Sequence, residues 1–253
     1  MKPRRVLVKY GGATLADPAL RQTLAADLAK AAATGAQIVV VHGGGPQTSA
    51  LGQRLGIEPT FRAGRRVTDA ATLEVAAWTL VGGVATEWLA ALLAAGVRAV
   101  STPVASGFLL RSVRRPPRKV QGEALPVDFG EVADPTDVDD APLRALWGGG
   151  FVPVLSSLCV DAAGHRLNLN ADTAARALAI GLAVDDVIAV ADVPGVFADL
   201  NDRGSHLASL NEDEVARRIG DGTVQGGMVA KLEEMVAQLQ GGVGTCWIAG
   251  AHE

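Results

Sequence analysis

Three glycine-rich turns each follow a short apolar run. The first is Lys9-Tyr10-Gly11-Gly12, the second is His42-Gly43-Gly44-Gly45-Pro46-Gln47, and the third is Asp192-Val193-Pro194-Gly195-Val196. Glycine lets backbone N–H groups approach an anion closely, and the dipole at the start of a following helix favours negative charge. One such turn alone is more often just a tight turn with a positive φ. Three in one chain, one of them headed by a lysine, predict a phosphate or anion site.

Neither of the common nucleotide-binding fingerprints is present. The chain has no G-x-x-x-x-G-K-[ST] run, and Gly43-Gly44-Gly45 does not satisfy G-x-G-x-x-G in a useful register. Spacing alone therefore predicts an anion site and leaves the class of enzyme open.

Three charged residues could act on such an anion. Lys9 ends an apolar strand and needs a partner, because burying an unpaired ammonium group is costly. Asp172 could be only a first-turn acid favoured by a helix dipole, but Asn168 and Asn170 beside it favour a functional role. Lys231 lies on an amphipathic segment, where the alternative is a surface lysine whose stem packs on the helix while its ammonium reaches water.

Short β-branched runs alternate with longer Ala- and Leu-rich runs. The strands and helices that this alternation predicts must position Lys9, Asp172 and Lys231. Leu20, Leu24 and Leu28 fall on one face of a helix predicted over 16–34. Continuous apolar strands separated by helices predict an α/β fold, a three-layer αβα sandwich with a mainly parallel open sheet. In such sheets ligands bind beyond the carboxyl ends of the strands, where the three turns gather. The predicted strands are residues 5–9, 37–41, 99–101, 152–155, 186–191 and 245–248.

Two stretches break the alternation. Residues 111–132 carry three prolines and no helical period, which predicts an inserted β-hairpin or a loop excursion. The run Asp161-Ala-Ala-Gly164 predicts a turn between residues 158–160 and 166–169, and hence a second hairpin.

The composition argues against several classes of protein. A formal net charge of −4 opposes a general affinity for nucleic acid or anionic membranes. The only cysteines, Cys159 and Cys246, lie in apolar stretches and are predicted to be buried free thiols. Residues 72–97 are the most apolar long segment, but Glu74 and Glu87 interrupt it, which favours a buried helix or helix pair over a membrane span. We therefore expect a soluble cytoplasmic protein.

The motifs stand in the order of one known family. They are Lys9-Tyr-Gly-Gly, Val41-His-Gly-Gly-Gly-Pro-Gln47, Arg66-Val-Thr-Asp69, Asn168-Leu-Asn-Ala-Asp172 and Gly222-Thr-Val-Gln-Gly-Gly-Met-Val-Ala-Lys231. Together they closely resemble the acetylglutamate kinases of the amino acid kinase family, from about residue 5 to about residue 250. The resemblance implies ATP-dependent phosphorylation of the γ-carboxylate of N-acetyl-L-glutamate to the acyl phosphate, the second step of arginine biosynthesis. It also implies two lobes, residues 1–183 for the amino-acid substrate and dimerisation and residues 184–253 for ATP.

The same resemblance implies catalytic roles. Lys9 and Lys231 would be the two cations that flank the transferring phosphoryl group. Gly12 and Gly44 would donate backbone N–H groups to it. Asp172 would hold both lysines in place. No general base is needed, because the acceptor carboxylate is already ionised at neutral pH.

Binding roles follow from the resemblance as well. The acceptor would be held by Arg66, Asn168, Asn170 and the backbone of Gly44 and Gly45. The implied cofactors are ATP and Mg²⁺, the ion bridging phosphate oxygens with mostly water ligands, so that no metal-binding residue is predicted. The implied nucleotide-binding residues are Lys9, Gly11, Gly12, Asp192, Val193, Gly195, Val196, Phe197, Thr223, Val224, Gln225 and Lys231.

Three features depart from the family pattern. Residues 101–107 lack the glycine- and acid-rich loop that usually lies near the substrate, and residues 251–253 end the chain before the usual closing helix and strand. No extra N-terminal helix precedes Arg5; in the family that the chain resembles, that helix accompanies hexamers and arginine feedback, so the resemblance implies a homodimer that arginine does not inhibit.

Two alternatives stay open. One is a sister kinase that acts on aminoadipate or glutamate attached to a small acidic carrier protein, although the intact second turn favours free acetylglutamate and a solvated hairpin is the simpler interpretation of the basic run. The other is a non-catalytic, ATP-binding regulatory homologue, which the retention of both lysines and Asp172 disfavours. The residues that could form a basic dock for the carrier are Arg111, Arg114, Arg115, Arg118 and Lys119.

Overall fold

The computed structural model describes residues 3–120, 123–193, 195–199, 202–225 and 227–252. Four parts of the predictions lie outside the described residues: Pro194 of the third glycine-rich turn, Gly226 of the Gly222–Lys231 motif, residues 121–122 of the predicted hairpin over 111–132, and the outermost residues of the two predicted lobes, 1–2 and 253.

Six strands form the central sheet. They are β1 (Arg5–Tyr10), β2 (Gln37–His42), β5 (Ala99–Pro103), β8 (Val152–Ser156), β11 (Asp186–Ala191) and β12 (Thr245–Gly250). Their order is β12-β11-β1-β2-β8-β5, and every neighbouring pair is parallel. The predicted parallel sheet is confirmed, and each strand begins at its predicted residue. Five of the six run one or two residues further, because the turn residues that follow still pair with a neighbouring strand.

Two-stranded hairpins accompany the sheet. They are β3 (Thr60–Arg62) with β4 (Arg65–Val67), β6 (Leu110–Arg114) with β7 (Ala133–Val138), and β9 (Leu158–Val160) with β10 (Arg166–Asn168). The second and third confirm the predicted hairpins, and an isolated pairing of Arg118 with Val127 extends the second. The first was not predicted, because its strands are mostly exposed and show no apolar run or alternation.

Eight α-helices complete the layers in the described part of the chain. They are α1 (Pro18–Ala32), α2 (Gly45–Arg54), α3 (Ala70–Ala77), α4 (Ala85–Ala94), α5 (Ala141–Gly148), α6 (Ala171–Gly181), α7 (Glu212–Gly220) and α8 (Gly227–Gln240). Helix α1 shows how the sequence sets their ends: the Asp17 side chain accepts hydrogen bonds from first-turn N–H groups, and Pro18 is the first helical residue. The predicted stripe of Leu20, Leu24 and Leu28 is buried.

A π-helical segment, Trp78–Val84, joins α3 to α4, so that Ala70–Ala94 is one continuous helix. Its length and composition would allow it to cross a membrane, but half of its most apolar stretch is buried within the protein. Trp88 and Leu92 are fully enclosed. This packing is typical of a core helix, as predicted for the segment.

Two apolar cores lie on opposite faces of the sheet. On one face Leu7 packs with Leu178 of α6. On the other face Val8 packs with Leu24 of α1 and Trp88 of α4. Helices thus cover both faces, which confirms the three-layer αβα sandwich.

Candidate active site

A cleft of about 290 Å³ opens at the carboxyl ends of β1 and β2. Its lining comes from the first two glycine-rich turns, the start of α6, and the β3–β4 and β6–β7 hairpins. Segments that are far apart in the sequence therefore meet at the edge of the sheet where the parallel topology predicts a ligand site. We call this space the first cleft.

The first two glycine-rich turns touch each other at Gly12 and Gly44. A Cβ atom on Gly12 would lie 2.8 Å from the Cα of Gly44, well inside ordinary carbon contact. A Cβ atom on Gly44 would lie 2.9 Å from Cδ2 of Leu80. Gln47 Nε2 donates a hydrogen bond to the carbonyl oxygen of Gly12 at 2.6 Å and ties the two turns together. We did not predict that role from the sequence, where the only signal for it was the position of Gln47 within the second turn.

Lys9 is the next-to-last residue of β1, and its partner lies in α6. Its Nζ lies 2.6 Å from Oδ1 of Asp172, and the lysine side chain is only 11% exposed. Asn170 caps α6 by accepting hydrogen bonds from the backbone N–H groups of Asp172 and Thr173. The cap fixes Asp172 in the first turn, so the partner that Lys9 requires is held by the helix itself.

Lys231 reaches the same place from α8, which packs against α6. Burial is the main cause that lowers the pKa of Lys231, and the positive charge of Lys9 lowers it further, while Asp172 and Asp192 oppose the shift. The charges of Lys9, Asp172 and Asp192 therefore act on Lys231, and we call these four side chains the lysine cluster. Lys231 is half-buried and lines a cavity together with Asp192, which favours a functional role over a surface lysine.

A second cavity of about 420 Å³ lies on the β11 side of the lysine cluster. It is lined by nine of the residues predicted to bind the nucleotide: Asp192, Val193, Gly195, Val196, Phe197, Thr223, Val224, Gln225 and Lys231. The other three, in the first turn, line the first cleft. Thr14 Oγ1 donates a hydrogen bond to Asp192 Oδ1 at 3.3 Å and so joins the first turn to the third.

Arg66 of β4 lines the first cleft together with the other residues predicted to hold the acceptor. Its Nη2 donates hydrogen bonds to the carbonyl oxygen of Gly45 at 3.0 Å and to Ser49 Oγ at 2.7 Å. Its guanidinium carbon lies 4.9 Å from the centroid of the Phe61 ring. Burial lowers the pKa of Arg66, but an arginine keeps its charge at neutral pH. The cleft therefore holds a fixed cation suited to a carboxylate.

Asn168 lies on the cleft side of the β9–β10 hairpin. Its Nδ2 donates a hydrogen bond to Thr68 Oγ1 at 3.1 Å, and its backbone N–H donates to the carbonyl oxygen of Glu131 at 2.9 Å. Glu131 in turn donates its own N–H to the carbonyl oxygen of Thr68. The Arg66-Val-Thr-Asp69 motif, the β6–β7 hairpin and Asn168 are thus bonded into one wall.

No group of three or more His, Cys, Asp and Glu side chains converges to hold a metal ion within the residues that the structure describes. The carboxylates at the lysine cluster are those of Asp172 and Asp192. Two carboxylates beside the glycine-rich turns would suit a Mg²⁺ ion that keeps several waters and takes its other ligands from a bound phosphate chain.

The basic run of the β6–β7 hairpin faces acidic residues. The ion pairs are Arg111 with Asp137 at 3.6 Å, Arg114 with Asp128 at 3.1 Å, and both Arg115 and Arg118 with Asp134. These pairs neutralise much of the run and favour a solvated hairpin over a basic dock. Arg115 differs from the others because it is buried and lines the first cleft. Nothing in the sequence distinguishes it, since it is one arginine among several.

The amino acid kinase family model matches residues 4–250. A protein called acetylglutamate kinase from Sorangium cellulosum is 44% identical over 246 residues, which cover 97% of this chain and 86% of that protein. Another protein of the same name, from Methanocella arvoryzae, is 36% identical over 239 residues, 94% of this chain and 80% of that protein.

Solved structures agree with the fold. N-acetylglutamate synthase from Neisseria gonorrhoeae, complexed with coenzyme A and N-acetyl-glutamate, matches with a TM-score of 0.80 at 24% identity, over 98% of this chain and 55% of that chain. Carbamate kinase from Giardia lamblia bound to AMP-PNP matches with a TM-score of 0.70 at 15% identity, over 99% of this chain and 93% of that chain.

Proposed function

Since the chain belongs to the amino acid kinase family, we propose that it is an acetylglutamate kinase, a phosphotransferase of arginine biosynthesis with a carboxyl group as acceptor. It transfers the γ-phosphoryl group of ATP to the γ-carboxylate of N-acetyl-L-glutamate. The relatives that carry this name are 36–44% identical over nearly the whole chain. The observation that carries the proposal is the lysine cluster, because two of its members, Lys9 and Asp172, line the first cleft and the other two, Asp192 and Lys231, line the second cavity.

The chemistry requires charge and position more than proton transfer. A γ-carboxylate oxygen attacks the γ-phosphorus, the bond from that phosphorus to the β–γ bridging oxygen breaks, and ADP leaves with the electron pair. The acceptor is already an anion, so no base has to take a proton from it. The obstacle is the repulsion between a carboxylate and the phosphate chain, and fixed cations offset it most where charge builds up in the transition state.

The lysine cluster supplies that charge in this proposal. Lys9 and Lys231 flank the transferring phosphoryl group from opposite lobes, and the backbone N–H groups of Gly12 and Gly44 bind its oxygens. Asp172 is already paired with Lys9 and interacts with Lys231, so it positions the cations. Holding both lysines before the substrates arrive avoids reorganisation at the moment of transfer.

The acceptor occupies the first cleft. The guanidinium of Arg66 binds its α-carboxylate, and Asn168, Asn170 and the backbone of Gly44 and Gly45 complete the pocket. The support for this assignment is that all five residues line the same cleft as Lys9. In this arrangement residues 1–183 form the acceptor lobe.

ATP occupies the second cavity, which belongs to the lobe of residues 184–253. Phe197, Val196 and Val224 offer apolar surface to the base, while Gly11 and Gly12 approach the phosphates from the first turn. When bound, Mg²⁺ neutralises phosphate charge, and the carboxylates available to its waters are Asp172 and Asp192. The turn from Asp192 to Phe197 follows β11 directly, as an anion-binding turn of an open sheet should.

We also propose a cytoplasmic homodimer. The exposed side of the Ala70–Ala94 helix carries three large apolar side chains, Trp78, Val81 and Leu93, at 52%, 37% and 53% exposure. Apolar groups spaced along one helix suit association with a second copy of the same helix. Light scattering of the wild type and of Trp78→Glu tests it; a wild type that is monomeric at micromolar concentration refutes it.

The decisive assay traps the acyl phosphate with hydroxylamine. The purified protein is incubated with ATP, Mg²⁺ and one of three acceptors: free N-acetylglutamate, glutamate or aminoadipate. We expect product from N-acetylglutamate, and its loss in Lys9→Met and Lys231→Met. Arg118→Met, which removes a cation outside the site, should stay active.

Two other outcomes point to the alternatives. If the protein forms no acyl phosphate with the three free acceptors but phosphorylates a carrier-bound acceptor, the sister kinase is established. ATP binding with no transfer to any acceptor would establish a regulatory homologue.

A further inference from the structure

Arg115 is a buried cation in the wall of the first cleft. It follows β6, its residue is 4% exposed, and its side chain lines the cleft near Asn168. An arginine enclosed to this degree needs partners for its charge and for its N–H groups.

The protein supplies only part of those partners. Nε donates to Asp134 Oδ1 at 2.9 Å, and Nη2 donates to the carbonyl oxygen of Ala133 at 3.4 Å. A guanidinium has five N–H donors, and the others of Arg115 have no partner among the described residues. Nη1 of Arg115 has no such partner, but it is not fully enclosed. His42 Nε2, in contrast, is both enclosed and unpartnered. Arg115 Nη1 therefore keeps some accessible surface, in a side chain that lines the first cleft.

The charge of Arg115 is also incompletely balanced. Asp134 is shared between Arg115 and Arg118, so two guanidinium groups face one carboxylate. The Arg118 side chain is 54% exposed and is stabilised by water, whereas the Arg115 side chain is 5% exposed. The surplus positive charge is thus presented to whatever occupies the first cleft.

The backbone places Arg115 beside the acceptor pocket. Its N–H donates to the carbonyl oxygen of Val132 at 2.7 Å, and the N–H of Asn168 donates to the carbonyl oxygen of Glu131, the residue before Val132. Arg115, Val132 and Asn168 therefore stand on adjacent chain segments, with about 10 Å between the outer two. An arginine side chain spans most of that distance.

Resting on the proposed function, we propose that Arg115 is a further acceptor-binding residue, whose unpartnered Nη hydrogens bond the N-acyl oxygen of the substrate. Arg66 takes the α-carboxylate and the lysine cluster takes the γ-carboxylate, which leaves the acyl substituent as the remaining polar group of the acceptor. A site built to bond that oxygen discriminates against free glutamate, because glutamate has no acyl oxygen to accept the bond. Arg115 is thereby a specificity determinant for N-acylated acceptors.

The competing hypothesis is that Arg115 only balances Asp134. Four proteins separate the two: the wild type, Arg115→Met, Arg118→Met, and the double variant Arg115→Met with Asp134→Asn. Arg118→Met is the matched control, because it removes the other partner of Asp134 without touching the cleft. The double variant removes the buried ion pair as a unit, so it restores folding if Arg115→Met alone folds poorly.

The measurements are kcat and KM for N-acetylglutamate, glutamate and ATP. A hydrogen bond from a charged donor predicts a rise of about 10- to 100-fold in the KM for N-acetylglutamate in Arg115→Met and in the double variant. The KM for ATP and the rate with glutamate should change little, so the preference for the acylated acceptor falls. Arg118→Met should match the wild type.

Two results would overturn the inference. One is an Arg115→Met enzyme whose KM for N-acetylglutamate equals that of Arg118→Met. The other is a double variant with wild-type KM, which would show that only the balance of Asp134 mattered. A wild type that does not turn over N-acetylglutamate refutes the proposed function itself and, with it, the ligand assigned to Arg115.

Discussion

Replacing Gly12 with alanine tests whether the contact between the two glycine-rich turns organises the site. The new Cβ would lie 2.8 Å from Gly44 Cα, 2.9 Å from Gln47 Oε1 and 3.0 Å from Gly44 N. Carbon atoms normally approach to about 3.5–4.0 Å, so the turns must separate by roughly 0.7–1.2 Å. Two of the three obstructing atoms belong to backbone, which cannot rotate aside as a side chain can.

The size of the effect follows from that displacement. A shift of about 1 Å in a positioned catalytic group costs on the order of 100-fold in rate, and Gly12 and Gly44 are both proposed to bind the transferring phosphoryl group. Overpacking of this kind also destabilises by about 1–3 kcal/mol. We therefore expect kcat to fall by roughly 100-fold and the melting temperature to fall by about 2–12 °C, while the protein still folds.

The hydroxylamine assay at saturating substrates and a thermal melt measure both quantities. Gly43→Ala is the matched control, since a Cβ there meets Ala171 Cβ at 3.4 Å and Gly12 N at 3.7 Å, which are ordinary contacts. Two results would refute this reasoning. One is a Gly12→Ala enzyme whose kcat stays within about threefold of the wild type, well below the 100-fold loss expected. The other is a Gly43→Ala enzyme that loses as much activity as Gly12→Ala.

Three further predictions concern charge. Asp172→Asn removes the partner of Lys9, whose side chain is 11% exposed. Because the carboxylate is itself half-exposed, we expect the free energy of unfolding, measured in urea, to fall by only about 1–2 kcal/mol, whereas kcat should fall strongly. An unchanged kcat would contradict the role of Asp172 beside Lys9. Burial and the charge of Lys9 lower the pKa of Lys231, so kcat should decline on the alkaline side below the ordinary lysine pKa, and Lys231→Arg should move that limb upward in a pH–rate profile. Burial also lowers the pKa of His42: the unfolded chain then binds the proton that the folded protein resists, so stability falls as pH drops below about 6.5. His42→Gln should flatten that loss in urea titrations between about pH 7 and pH 5.5; an equally steep loss would mean that His42 is not its source.

Strands and turns could be predicted because each carries a strong local signal. A run such as Val6-Leu7-Val8 is typical of a strand buried on both faces, and a glycine pair just beyond such a strand is typical of a tight or anion-binding turn. The strand starts, the αβα layers and the three turns could therefore all be placed. The sequence also predicted that Lys9 needs a charged partner, because the cost of an unpaired buried charge does not depend on the fold.

The wall of the first cleft could not be predicted in the same way. Its β3–β4 hairpin has strands of three residues, which show no period. Arg115 lies in a proline-containing run whose arginines the sequence alone does not distinguish. Only the pairing of β6 with β7 turns Arg115 inward, while Arg118 stays exposed to water. Gln47 was visible as part of a motif, but its bond to the carbonyl oxygen of Gly12 depends on two turns 35 residues apart.

The order of the sheet places one lysine, Lys9, between the first cleft and the second cavity. β1 lies at the centre, with β2 on one side and β11 on the other. The turn after β2 lines the first cleft and the turn after β11 lines the second cavity, so a side chain at the carboxyl end of β1 stands between them. Moving that lysine to the end of β2 or β11 would bring it nearer to one cavity and take it out of reach of the other, since each strand is about 4.8 Å from the next. In the proposed reaction the line of phosphoryl transfer therefore follows the strand order, with α6 contributing Asp172 and α8 contributing Lys231.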